Sequence, residues 1–127
     1  MPDILADTSA IIEFFRPGGR ENVRQEVSRL LDAGQLAVCG IVVAELLQGV
    51  REEERGPLMD FLGEVQIWEI RLEDYTRAGE LGNGLRRKGL KVPLSDLIIG
   101  ALALRMKSLV LTLDLKDFQA IPGLKLA

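Results

Sequence analysis

The chain has 127 residues, of which 47% are hydrophobic and 28% charged, and its formal net charge is −3. This length and composition are typical of one globular domain with a substantial core, so we interpret residues 1–127 as a single domain. Its apolar runs are shorter than the roughly 20 residues of a membrane span, so we expect no membrane association. The acidic balance argues against a nucleic-acid binder that relies on overall positive charge, but not against one that uses cations and a local basic rim.

The chain contains one cysteine and no histidine. Cys39 cannot form an internal disulfide, and we predict a buried thiol, because cysteine is among the residue types most often buried. A catalytic cysteine would need a histidine partner, which the composition excludes. The segment from Met1 to Leu5 lacks a basic stretch before its apolar residues, so we expect no secretory signal and a cytoplasmic location.

Strand and helix patterns alternate along the chain. In chain order they predict a strand at 4–6, helices at 10–15 and 22–33, a strand at 36–39, helices at 41–50 and 57–62, a strand at 65–68, helices at 72–87 and 94–106, a strand at 109–112 and a short edge strand at 124–126. The charged cluster 51–55 is interpreted as a solvated helix end or loop. Alternating strands and helices predict an α/β fold with a mainly parallel sheet of four or five strands, flanked by helices on both faces.

Three glycines interrupt the predicted helix at 72–87. Gly79, Gly82 and Gly84 each lower helix propensity. They either allow another helix to pack closely or mark a break, and the sequence does not decide between the two.

Four acidic residues stand at the ends of predicted strands or on the helices that follow them: Asp7, Glu45, Asp96 and Asp114. In open parallel sheets, ligands bind beyond the carboxyl ends of the strands, so these acids can converge at one edge of the sheet. Left unpaired they would repel one another, and a divalent cation would remove that penalty. Oxygen ligands without histidine favour Mg²⁺ or Mn²⁺.

Each acid also has a simpler interpretation. Asp7 and Asp96 can be helix caps or first-turn acids, and Asp114 can be a turn residue. Glu45 can be the one polar position of an amphipathic helix. Only the joint placement of the four acids supports a metal centre.

Four motifs give the chain a family resemblance. Asp7-Thr8-Ser9, Val43-Ala44-Glu45-Leu46-Leu47, Ser95-Asp96 and Thr112-Leu113-Asp114 with Asp117-Phe118 occur in this order along the whole chain. Together they resemble PIN-domain ribonucleases, in particular the VapC-type toxins of toxin–antitoxin pairs. The resemblance implies a single PIN-like domain with metal-dependent endoribonuclease activity.

The resemblance also implies roles for particular residues. Asp7, Glu45, Asp96 and Asp114 match the family's metal-binding and catalytic acids, which would hold one or two Mg²⁺ or Mn²⁺ ions. Supporting positions are Thr8, Thr112 and Asp117. The resemblance further implies an RNA substrate, a cognate VapB-like antitoxin that covers the groove, and a homodimer. Gly40 departs from the family pattern, in which Ser or Thr often precedes the Glu-bearing helix.

Two clusters of cations are candidates for contact with RNA phosphates. The first follows the opening helix and the second precedes Asp96; together they comprise Arg16, Arg20, Arg24, Arg86, Arg87, Lys88 and Lys91. Either cluster can equally be a solvated helix end. Phe14 and Phe15, with the apolar face around Leu46, form a candidate exposed patch for a partner, although core packing would explain them as well.

Three rival functions remain open at this stage. A phosphoacceptor receiver domain would need a pair of adjacent acids after the first strand, and Asp7 has no acidic neighbour. A haloacid-dehalogenase-like phosphatase would need Asp-x-Asp, but residue 9 is Ser9. A PIN-fold protein that only binds a partner is the third, and an intact set of four acids speaks against it.

Overall fold

The computed structural model describes residues 3–127. Residues 1 and 2, which begin both the predicted domain and the segment from Met1 to Leu5, lie outside the described part. The strands are β1 (Ile4–Ala6), β2 (Leu36–Cys39), β3 (Gln66–Trp68) and β4 (Leu109–Leu111). The helices are α1 (Thr8–Phe15), α2 (Glu21–Asp32), α3 (Gly40–Gly49), α4 (Arg55–Glu64), α5 (Leu72–Arg87), α6 (Leu94–Met106) and α7 (Leu115–Gln119). Within residues 3–127, no helix combines the length and hydropathy that a membrane span requires.

The four strands form one parallel sheet in the order β3-β2-β1-β4. Parallel crossovers are almost always right-handed. Along the chain, the strands run outward from β1 through β2 to β3, and β4 then lies on the other side of β1. With right-handed crossovers in both directions, the helices before β3 and those after it lie on opposite faces of the sheet. β1 and β2 are buried along their whole length, as expected of strands covered on both sides. The predicted α/β class is confirmed.

The direction of the crossovers reverses between β1 and β4. Ala6, the last residue of β1, lies opposite Leu111, the last residue of β4. A crevice at the carboxyl ends of two strands whose connections diverge is the usual ligand site of open α/β sheets. The fold therefore places Asp7 and Asp114, which follow these strands, beside the same crevice.

Helices α5 and α6 pack against each other as an antiparallel pair, and α5 is unbroken by its glycines. A Cβ atom on Gly82 would lie 2.8 Å from Cδ1 of Leu97, whereas Gly79 and Gly84 face open space. Gly82 thus permits the close approach of α6, and the other two glycines do not contribute to it. Of the two interpretations that the sequence left open, close helix packing is therefore correct at Gly82, and none of the three glycines breaks the helix.

A buried ion pair joins the beginning of α5 to the end of α6. Asp74 is almost fully buried, and its carboxylate accepts from Nε and Nη2 of Arg105 at 2.8 and 2.9 Å. It also accepts the backbone N–H of Arg71 at 2.9 Å, and a guanidinium N–H of Arg105 donates to the carbonyl of Glu69 at 3.2 Å. Although burial acts in the opposite direction, the hydrogen bonds that Asp74 accepts from Arg105 and from the N–H of Arg71 lower its pKa.

One predicted element needs correction, and one helix was not predicted. The edge strand at 124–126 is reduced to one bridge between Val110 and Leu126. Residues 115–119, for which no element was predicted, form α7, from which Phe118 inserts into the core. The charged cluster 51–55 lies at a helix end, as one of its two interpretations predicted: Glu52–Glu54 form a mostly exposed 3-10 turn that leads into α4.

The candidate patch near the end of α1 is only partly packed, and Phe15 and Leu46 also line an open groove. Phe14 and Phe15 are half-buried, and their rings lie 6.1 and 5.5 Å from the ring of Phe61 on α4. This contact holds α1 against α4. Cys39 is fully buried as predicted, and burial raises the pKa of its thiol.

Candidate active site

Asp7 begins α1 and is almost completely buried. One carboxylate oxygen, Oδ1, accepts the N–H of Ala10 at 3.2 Å, which makes Asp7 the N-cap of the helix. The hydroxyl groups of Ser9 and Thr112 also donate to this carboxylate, each at 2.7 Å. Burial raises the pKa of Asp7, and the three donors oppose that shift. The simpler interpretation of Asp7 as a helix cap is therefore confirmed, and its role in a metal site stays a prediction.

Three other acids share one small volume. Asp96 lies in the first turn of α6, Asp114 immediately precedes α7, and Asp117 lies in the first turn of α7. One carboxylate oxygen from each lies within 4.8 Å of the other two. α7 turns Asp117 toward Asp114, so this helix brings the second acid of the closing motif beside the first.

The pKa values show how strongly these acids interact. Burial, with the charge of Asp114 as the next cause, raises the pKa of Asp96 to about 7, and the charges of Asp7 and Asp117 act in the same direction. Burial and Asp114 also raise the pKa of Asp117. A divalent cation would offset this mutual repulsion, and a set of carboxylate oxygens fits a hard cation such as Mg²⁺ or Mn²⁺.

Glu45 lies outside the three-acid group but is tied to it through α1. It is half-buried on α3, and its Oε1 accepts the hydroxyl proton of Thr8 at 2.7 Å. Since Thr8 follows Asp7 in the chain, this bond anchors Glu45 to the start of α1. Thr8 and Thr112, the two predicted supporting hydroxyls, thus each donate to one of the four predicted acids.

The two cation clusters differ in their surroundings. Arg16 pairs with the buried Glu13, and Nε of Arg20 lies 3.7 Å from the same carboxylate. Both side chains stay largely exposed, but Glu13 partly neutralises them. The cations at 86–91 are exposed and lie at the turn between α5 and α6, the end of that helix pair that also carries Asp96.

Sequence reasoning missed one residue of this site. Ser9 contacts Asp7, and its Oγ also accepts the N–H of Leu113 at 2.9 Å. Its position directly after Asp7-Thr8 was the available signal, but its second partner is 104 residues away in the chain.

The family model for the PIN domain matches residues 4–124. The chain belongs to the PIN-domain family. Among curated PIN-domain relatives, ribonuclease VapC2 of Rickettsia felis is 32% identical over 94 residues, which are 70% of each chain. Ribonuclease VapC11 of Mycobacterium tuberculosis is 32% identical over 123 residues, or 93% of this chain and 90% of that protein. The predicted resemblance to VapC-type PIN proteins is confirmed.

A solved structure supports the same PIN fold. VapBC2 from Rickettsia felis, bound to a DNA fragment from its promoter, aligns with a TM-score of 0.83 at 25% identity and covers 98% of this chain and 96% of that one. The alignment spans all four strands and both helical layers, so the PIN architecture extends over the described chain.

Proposed function

We propose that this chain is a metal-dependent endoribonuclease and the toxin component of a toxin–antitoxin pair. The observation that carries the proposal is the cluster of Asp96, Asp114 and Asp117 at the crevice between β1 and β4, close to Asp7. The names of the VapC relatives supply the substrate class, RNA. The chemistry of the acids supplies the need for a cation.

In this proposal Asp7, Glu45, Asp96 and Asp114 hold one or two Mg²⁺ or Mn²⁺ ions, and Asp117 is a fifth candidate. When bound, such ions activate water and stabilise the charge that develops in an in-line displacement at phosphorus. Thr112 orients Asp7, and Thr8 orients Glu45. Since the chain has no histidine to form a cyclic phosphate by acid–base catalysis, we expect 5′-phosphate and 3′-hydroxyl ends.

A groove beside Glu45 is the surface that we assign to the antitoxin. It has a volume of about 300 Å³, lies between α1 and α3, and is lined mainly by apolar side chains, among them Ile12, Phe15, Leu46 and Leu58. Because Glu45 and Arg16 also line it, a VapB-like segment lying there would reach the acids. The VapBC2 complex from Rickettsia felis, which shares this fold, supports such a partner. We also propose that this chain forms a homodimer in the cytoplasm.

The test is cleavage of RNA by purified, partner-free protein. The wild type is incubated with RNA and Mg²⁺ or Mn²⁺ beside Asp7→Asn, Asp96→Asn and the surface control Asp60→Asn, which changes an exposed acid on α4. We expect activity in the wild type and the control, and a loss of at least about 100-fold in the two site variants.

Two results would overturn the proposal. Cleavage that persists in EDTA or in both site variants would exclude the acidic metal site, and 2′,3′-cyclic phosphate ends would exclude hydrolysis by activated water. A wild type that binds antitoxin but cleaves no RNA in a transcriptome-wide pool would instead identify a silent PIN-fold binding module.

A further inference from the structure

Two hydroxyl groups join the buried carboxylate of Asp7 to the backbone that follows β4. Ser9 Oγ–H donates to Oδ1 of Asp7 at 2.7 Å, and Ser9 Oγ accepts the N–H of Leu113 at 2.9 Å. Thr112 Oγ1–H donates to Oδ2 of Asp7 at 2.7 Å, and Thr112 Oγ1 accepts the N–H of Asp114 at 2.8 Å. Each oxygen of Asp7 is therefore linked through one hydroxyl to one of two successive amides.

The direction of each hydrogen bond in this arrangement is fixed. A hydroxyl has one proton, and an N–H that donates to its oxygen leaves the carboxylate as the partner for that proton. The two hydroxyl oxygens lie 3.3 Å apart, but both protons are directed at Asp7. Ser9 and Thr112 thus act as two parallel spacers between α1 and the segment that carries Asp114.

We propose that Ser9 is a positioning residue of the cation site, which sets the placement of Asp114 relative to Asp7. This inference rests on the proposed function. Thr112 accepts a hydrogen bond from the N–H of Asp114. The preceding peptide group, which carries the N–H of Leu113, can still rotate unless that N–H is also hydrogen-bonded. Ser9 supplies that second attachment, and it does so from the helix that Asp7 begins.

The same contacts distinguish the two oxygens of Asp7. Oδ1 accepts from both Ser9 and the N–H of Ala10, whereas Oδ2 accepts from Thr112. A carboxylate oxygen offers about two acceptor positions, so within residues 3–127 the free position is on Oδ2. Ser9 therefore also leaves Oδ2, rather than Oδ1, as the oxygen of Asp7 that would hold a cation.

A purely structural role for Ser9 makes a different prediction. If Ser9 only stabilised the start of α1, its loss would lower the melting temperature and leave the affinity for a cation unchanged. Residues that orient metal ligands typically change metal affinity or activity by 10- to 100-fold when they are lost. Metal affinity therefore separates the two roles.

The experiment compares wild type, Ser9→Ala, Ser9→Thr and the control Ser28→Ala, which removes an exposed hydroxyl from α2. Backbone amide hydrogen exchange is measured by NMR on the metal-free protein, and Mn²⁺ affinity by isothermal titration calorimetry. We expect Ser9→Ala to speed exchange at Leu113 while Asp114 stays protected by Thr112, and to weaken Mn²⁺ binding by about 10- to 100-fold.

Rescue and kinetics complete the test. Ser9→Thr keeps the hydroxyl and should restore Mn²⁺ affinity, and Ser28→Ala should match the wild type. In RNA cleavage, Ser9→Ala should lower kcat more than it raises KM, because Ser9 acts on the acids rather than on the substrate. If Ser9→Ala does not fold, Ser9→Cys is compared with the wild type in the same measurements under reducing conditions, since a thiol is a weak donor.

The outcomes separate this inference from the proposed function. Wild-type Mn²⁺ affinity in Ser9→Ala, or equal loss of affinity in Ser9→Thr, would overturn the positioning role while the nuclease proposal stands. A wild type that neither binds Mn²⁺ nor cleaves RNA would overturn both.

Discussion

At Asp96, burial and three neighbouring carboxylates act on one titratable group and raise its pKa to about 7. The ordinary pKa of 3.8 applies to the unfolded chain, so the folded state binds the proton more tightly. This contribution to stability is complete below pH 4 and is lost as the pH rises through about 7. In EDTA we expect the melting temperature to fall between pH 5 and pH 8, and Mg²⁺ to restore much of the loss.

Thermal unfolding monitored by circular dichroism across that pH range is the measurement. Asp96→Asn should flatten the slope, because an amide does not titrate. The matched control Asp60→Asn should keep the wild-type slope. An unchanged slope in Asp96→Asn would show that another group is responsible.

The convergence of Asp96, Asp114 and Asp117 near Asp7 could be expected from the sequence, whereas the contacts of Ser9 could not, and the metal-binding role of the acids stays a prediction. Strand ends indicated Asp7 and Asp114, because residues after parallel strands meet at one edge of the sheet. Asp117 was given only a supporting role, because its orientation depends on α7, whose five residues carry little periodic signal. Ser9 was missed because hydroxyls are common in helix first turns, and its contact with Leu113 exists only after β4 pairs with β1.

At the scale of elements, the spacing between α5 and α6 depends on Gly82. An alanine there would place Cβ 2.8 Å from Cδ1 of the buried Leu97, so Leu97 must shift. Gly79→Ala, in open space on the same helix, should stabilise the protein by about 0.5–1 kcal/mol. Gly82→Ala should be less stable than Gly79→Ala by about 1 kcal/mol or more.

Urea unfolding of the two single variants and of Gly84→Ala measures this difference. Gly84 also faces open space, so its alanine variant should behave like Gly79→Ala. Equal stability of all three variants would contradict the assigned role of Gly82.

Long periodic elements were predicted with correct bounds. The predicted ranges 72–87 and 94–106 coincide with α5 and α6, because both runs are longer than a strand and Pro93 marks where the second begins. Residues 124–126 failed as a strand because an isolated bridge and a short strand share one apolar pattern. The sequence allowed both a helix end and a loop at 51–55, since charged residues suit an exposed helix and a loop equally.

At the scale of the whole molecule, a net charge of −3 means that the proposed binding of RNA would need bound cations or a local basic surface. The exposed cations at 86–91 lie at the end of the α5–α6 pair that carries Asp96. If they contact phosphates, Arg86→Ala combined with Lys88→Ala should raise KM several-fold, leave kcat nearly unchanged, and reduce the salt dependence of binding by about two charges.

RNA cleavage across a salt series is the measurement. Lys125→Ala is the control, because Lys125 is exposed and lies beside the start of β4, away from Asp114. If the double variant keeps the wild-type KM and salt dependence, these cations face solvent and do not contact RNA.

The position of β4 beside β1 also determines when the acid cluster can form. The acid cluster needs Asp114 and Asp117, which are synthesised after the other acids, and it needs β4 to pair with β1. Such non-local pairing slows folding. A nascent chain that already carries Asp7, Glu45 and Asp96 therefore still lacks the assembled site until Asp117 has been added and β4 has paired with β1.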